Sequence, residues 1–163
     1  MKVALFIPSF IDAIFHEVRV ATLERLGCEV AYLLDQTCCG QPMGNSGCER
    51  DAAATEALFV KNLADVDYIV APSGSCVHHV RHHLTAIDQT AEVKKVRSNT
   101  FELVEFLHDV LKVDAFPWAE FPHKVGLHNR SGRHSGRTDT RCARYTLADL
   151  VPMARSVQAA RSS

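Results

Sequence analysis

This 163-residue chain has no apolar run long enough to cross a bilayer: its opening stretch KVALFIP, residues 2–8, is far too short. The start also lacks the long apolar core and small-residue cleavage site of a secretion signal, so the chain is expected to be cytoplasmic with no membrane span. Neither phosphate-cradling fingerprint occurs, since no GxGxxG follows the first apolar run and no GxxxxGK[ST] appears anywhere. HExxH is missing as well, which removes the commonest helical zinc-hydrolase pattern. Over residues 1–129 acidic residues outnumber Lys and Arg, so nucleic acid is not an expected partner. No arrangement of acid, base and nucleophile stands out.

What remains is an ordinary globular composition, 47% apolar and 23% charged with a formal net charge of -1, and a length that buries a core without staples. Apolar runs at 2–8, 28–34, 67–73 and 124–129 read as strands. Between and after them, 12–27, 50–65, 76–87 and 100–113 carry the helical period, the first with Asp12 as N-cap and Gly27 as its stop. Strands alternating with helices predict an α/β fold: a parallel sheet with helices on both faces. Ligands of such sheets sit beyond the carboxyl ends of the strands. Ser9, Cys38 with Cys39, and Ser73 with Cys76 all follow predicted strands, and so are expected at that edge.

The six cysteines are Cys28, Cys38, Cys39, Cys48, Cys76 and Cys142. In a reducing cytosol they favour ligand or redox roles over structural bridges. Cys38 and Cys39 are adjacent in QTCCGQPMGNSG, residues 36–47, and the trans peptide between neighbours gives poor geometry for a mutual disulfide. The pair therefore reads as ligands for a metal or iron–sulfur cluster, as redox thiols, or as small residues filling a glycine- and proline-rich loop. Cys28 and Cys48 read as packing or incidental thiols, and His16, His108 and His123 as incidental too. His78, His79, His82 and His83 form two i,i+4 pairs on the helix that begins at Cys76. They offer either a polar face or, with that thiolate, a zinc site.

TCCGQP with the nearby NSG, then YIVAPSGSCVHHV and later ELVEFLHDVL, resembles the CCG cysteine-rich family, in its branch of lactate utilisation protein A and glycolate oxidase iron–sulfur subunits. It is more distantly similar to the cysteine-rich component of heterodisulfide reductase. The resemblance covers residues 1–129 and implies a Rossmann-like or flavodoxin-like module. It also implies a 4Fe–4S cluster held by cysteines after the first strand, at the Cys-Cys pair and in a Cys-x-x-Cys. Here those positions read Ser9, Cys38 with Cys39, and Ser73-Gly74-Ser75-Cys76, and the 33 residues between Cys39 and Ser73 match the family spacing. Ser9 stands where a cysteine is typical, which leaves three thiolates, Cys38, Cys39 and Cys76. A serine hydroxyl is a poor soft-metal ligand at neutral pH.

The family carries two such modules, and this chain has room for one. From Arg130 onward it holds seven of its twelve arginines with no lysine or glutamate, which reads as a frameshifted or truncated continuation, or as a basic tail for an acidic partner. Residues 130–139 are expected to be irregular, with short helical pieces on either side of Pro152. An uncovered face would make the chain self-associate or need a partner.

The resemblance implies an iron–sulfur electron-transfer subunit of a complex oxidising lactate or glycolate, part of an oxidoreductase rather than a whole enzyme. A ferredoxin-like iron–sulfur subunit and a third lactate-utilisation subunit would be its partners. A non-catalytic binding or assembly module without a cluster, and a zinc-thiolate protein, are the competing readings.

Overall fold

The computed structural model describes residues 1–14, 17 and 27–113. The chain divides into two units, Met1–Leu107 and His108–Ser163, and the first contains the sheet, the α-helices and the cysteine site described below. Four strands, β1 (Lys2–Leu5), β2 (Glu29–Tyr32), β3 (Tyr68–Ala71) and β4 (Thr100–Glu102), form one sheet in the order β2-β1-β3-β4. Every pairing is parallel, with Val3 opposite both Val30 and Tyr68, and Ile69 opposite Thr100. This is an α/β fold in the flavodoxin-like strand order, whose switch point lies between β1 and β3.

The helices described are α1 (Ser9–Ile14), α2 (Gln41–Asn45), α3 (Ala53–Leu63), α4 (Gly74–His83), α5 (Ala91–Ser98) and α6 (Leu103–Glu105). A 3-10 turn (Glu49–Ala52) leads into α3, and α6 runs on as a π turn over Phe106–Val110. Side chains alternate across a strand, and β1 shows it. Ala4 and Phe6 join Phe59, Val60 and Leu63 of α3, Val77 and Val80 of α4, and Val93 and Val96 of α5 in the larger core. Leu5 and Ile7 turn the other way, to meet Ile11 of α1 with Val30 and Tyr32. Strands buried on both faces read as continuous apolar runs, which is why β1 and β3 are visible in the sequence.

Two expectations need correction. Asp12 does not cap α1; the helix opens at Ser9, with the amides of Ile11 and Asp12 both donating to the Pro8 carbonyl. The stretch 100–113 is not one helix, since Thr100–Glu102 is the strand β4 and the helix starts at Leu103. Glu102 and Glu105 form a capping box there, in which Glu102 accepts from the Val104 amide at 2.7 Å and Glu105 from the Glu102 amide at 3.3 Å. Pairing with β3 overrides the helical period of these three residues, of which β-branched Thr100 and aromatic Phe101 suit a strand. Arg81 of α4 anchors that strand: it donates to the Thr100 carbonyl at 2.6 Å, pairs with Glu105 and lies over the Phe101 ring. The structure also adds the helix α5, which the sequence pattern does not announce. Thr90 caps it, accepting from the Val93 amide at 3.3 Å. The strand expected at 124–129, most of the helix expected over 12–27, and every expectation for residues 130–163 lie outside the described residues.

Candidate cysteine site

The loop between β2 and α3 is tied to the sheet by Gln36. Its side-chain oxygen accepts from the Ile7 amide at 2.9 Å and its amide group donates to the Leu5 carbonyl at 3.3 Å, extending the end of β1 by one pseudo-strand step. The chain then passes Cys38, which is half-buried, and Cys39, which is 1% exposed. It turns at Gly40, whose φ of +89° is open to glycine and strained for other residues. The two neighbours differ in exposure: Cys39 is fully buried, while Cys38 is half-buried and packs against the same core.

From the other side of the switch point, β3 ends at Ala71 and Ser73 caps α4, its hydroxyl accepting from the Cys76 amide at 3.5 Å. The cap places Cys76 in the first turn, buried at 3% exposure. Cys39 and Cys76 meet there. The Cys39 thiol donates a hydrogen bond to the Cys76 sulfur, which pulls Cys76 down to about 6, with further help from the Ser73 and Ser75 hydroxyls against the cost of burial. The same hydrogen bond, then burial, pushes Cys39 up, and the Gln41 backbone amide only partly offsets them. When protonated, Cys76 donates toward the Gln41 side-chain oxygen at 3.6 Å. The pair is thus one thiolate-prone sulfur beside one that keeps its proton.

A pH profile follows. The ultraviolet absorbance of the Cys76 thiolate, taken as the difference between the parent chain and Cys76→Ser, should rise through a midpoint near 6 and level off above it. Ser73→Ala should move that midpoint upward and lower helix stability by about 1 kcal/mol. A midpoint that Ser73→Ala leaves unmoved would remove the hydroxyl from the site.

The other expected residues distribute unevenly. Ser9 is exposed at the start of α1, and Cys48 is exposed while Cys28 is half-buried, each apart from the thiol pair in sequence and element. Cys142 lies outside the described residues. Rings of the first histidine pair, His78 and His82, stand 4.8 Å apart, and those of His79 and His83 stand 6.2 Å apart. Among the described residues no group of three or more His, Cys, Asp or Glu side chains is placed to hold a metal ion. The donor chemistry of Cys39 and Cys76 nevertheless fits a soft metal or iron–sulfur group: two free thiols in contact, one of them ready to ionise, with Cys38 next in sequence.

Sequence reasoning missed two buried polar groups beneath this loop. Glu56 of α3 is 1% exposed and His79 of α4 is 4% exposed, so His79 does not belong to a polar face. The signal for it was its place between Cys76, Val77 and Val80, the buried positions of α4. Half-buried Glu102, at the end of β4, lies near Gly74, and desolvation pushes its carboxyl up to about 7, partly offset by the Val104 and Glu105 amides.

Residues 12–81, from α1 through α4, match the CCG family, a cysteine-rich domain. Over that segment the chain is similar to the cysteine-rich domains of the CCG family. It is 40% identical to lactate utilization protein A of Geobacillus kaustophilus over 148 residues, covering 86% of this chain and 59% of that protein. It is 42% identical to the protein of the same name from Geobacillus thermodenitrificans (70% of this chain, 51% of that one) and 40% identical to that of Bacillus subtilis, with the same coverage. The chain therefore spans about half the length of these relatives. The Geobacillus kaustophilus match covers more of the chain than residues 1–129 amount to, so that likeness reaches past Asn129. No solved structure matches the chain. No described helix is long and apolar enough to cross a membrane.

Proposed function

We propose that this CCG domain serves electron transfer in a complex that oxidises lactate, or glycolate as the other 2-hydroxy acid its resemblance allows, and that Cys38, Cys39 and Cys76 hold an iron–sulfur cluster of 4Fe–4S type. The observation that carries the reading is the meeting of two buried thiols from separate loops, Cys39 after β2 and Cys76 after β3, beside the sheet's switch point. The names of the relatives supply lactate. A bound cluster would supply a one-electron relay. The chain's own residues supply the rest: the Ser73 and Ser75 hydroxyls and the Cys39 thiol favour a Cys76 thiolate near neutral pH, and Gly40 lets the loop approach closely. With no acid–base constellation among the residues singled out, chemistry on the hydroxy acid falls to partners, a ferredoxin-like iron–sulfur subunit and a third subunit. The cytoplasm is the fitting compartment for reduced thiols.

A second reading, a binding or assembly module without a cluster, is favoured by the exposed Ser9 and by the two-thiol, not three-donor, contact among the described residues. Metal and sulfide analysis of anaerobically purified protein decides between them. Iron with matching sulfide is the expected result. Stoichiometric zinc would make this a zinc-thiolate protein, and neither metal would leave the assembly module.

Position 9 gives a related prediction. A thiolate binds iron far better than a hydroxyl that must first lose a proton of high pKa. Ser9→Cys should therefore lengthen the lifetime of the cluster's visible absorbance in air, and an unchanged lifetime would take residue 9 out of the ligand set.

A further inference from the structure

The Nε2 atom of His79 is buried without a hydrogen-bond partner. An unsatisfied buried nitrogen is costly, and such groups are rare without a purpose. The nearest complement is Glu56 Oε1, 3.8 Å away, slightly beyond hydrogen-bond range. The other Glu56 oxygen is already fixed, accepting from the Ala86 amide at 2.8 Å, so Oε1 is the atom left to meet His79.

The backbone of the cysteine loop lies directly on this pair. A Cβ at Gly40 would stand 3.4 Å from both Glu56 Cγ and His79 Nε2, and one at Gly44 would stand 3.0 Å from His79 Cε1. Gly40 is bonded to Cys39, and His79 lies one turn beyond Cys76 on α4. The two buried polar groups thus underlie both halves of the thiol pair.

We propose that Glu56 and His79 are positioning residues that share one proton between Oε1 and Nε2 beneath Gly40, and that this hydrogen bond seats the loop so that Cys39 stays against Cys76. The proposal rests on the reading that the two thiols act as a pair, but not on what they hold. Proton count agrees with it. Burial pushes the Glu56 carboxyl up, with nearby Glu49 adding to the shift and Arg97 and the Ala86 amide opposing it. Burial, with His83 and His78 close by, pushes His79 down to about 4. Both groups are driven toward neutrality, and a neutral acid beside a neutral imidazole carries one proton for one acceptor nitrogen.

The test uses the full chain, reduced and metal-free, so that it reads the thiols whether or not the protein binds iron. Glutamine is an isostere of the neutral acid: its carbonyl accepts from the Ala86 amide while its N–H donates to His79. Leucine has similar bulk and can do neither. Iodoacetamide labelling of Cys39, measured against exposed Cys48, should stay within about twofold of the parent in Glu56→Gln and rise by roughly tenfold or more in Glu56→Leu, since an unmade buried hydrogen bond favours loop opening. Equal labelling in the two variants would reduce the pair to packing and overturn the proposal. A second measurement requires no variant to fold. In nitrogen-15 histidine spectra of the parent chain, His79 should stay neutral with Nε2 as acceptor from about pH 5 to about pH 8. Its titration near the ordinary imidazole value of roughly 6.5 would overturn the proposal equally.

Discussion

Serine at position 39 or 76 should abolish the broad visible absorbance of iron–sulfur charge transfer after anaerobic reconstitution, and serine at position 38 should do the same. The change replaces a soft thiolate with a hydroxyl that stays protonated at neutral pH, so the ligand bond is lost. Cys39 and Cys76 are buried in one hydrophobic cluster with Cys38 packed against it, and removing any one of the three sulfurs leaves two donors. Cys48, exposed and with its thiol 3.9 Å from the Ser46 carbonyl, serves as the control: Cys48→Ser should keep the full absorbance. Absorbance spectra and iron content of the four variants check this. Equal losses at all four positions would reflect general instability and dissolve the ligand assignment, whereas equal retention would move any cluster away from this loop.

The largest effect on stability is expected at Phe6. The ring is 1% exposed, stands edge-on to Phe59 at 4.9 Å between centroids, and belongs to the same cluster as Cys39 and Cys76. Its amide donates to the Val70 carbonyl at 2.9 Å, so backbone and side chain both sit where β1 leaves the sheet. Phe6→Ala should cost about 3–5 kcal/mol, the lost transfer energy plus the cavity left behind. Set against a total stability of about 5–15 kcal/mol for a domain, that is enough to lower the thermal midpoint by more than about 10 °C. Circular dichroism melts give the number. A loss under about 1 kcal/mol would mean that α3 does not close over β1 through this contact.

Much of the architecture was legible because both faces of the central strands are buried. The runs VALFI and YIVA needed no knowledge of their neighbours to be read as strands, and the period of residues 50–65 and 76–87 marked two of the helices packed on them. The strand β4 was not legible. Thr100-Phe101-Glu102 sits at the head of a strongly helical stretch, and hydrogen bonding to β3, with Arg81 anchored on it, makes it a strand. The short helix α5 has only eight residues and shows no long period, although Thr90 gives it an ordinary cap.

The cysteine site divides the same way. Cys38, Cys39 and Cys76 were identifiable as a chemical set from residue type and spacing, and Ser73 from its place in SGSC. The sequence by itself determined that these thiols follow strands of a parallel sheet, because alternation of apolar runs and helical periods leaves few other arrangements. Tertiary structure decided which thiol turns inward, which sulfur gives up its proton more readily, and that a buried glutamate and histidine lie beneath the loop. Those outcomes depend on through-space contacts between residues tens of positions apart, Cys39 with Cys76 and Glu56 with His79. No local pattern encodes the burial and hydrogen bonding that arise only when α3, α4 and the loop close on one another.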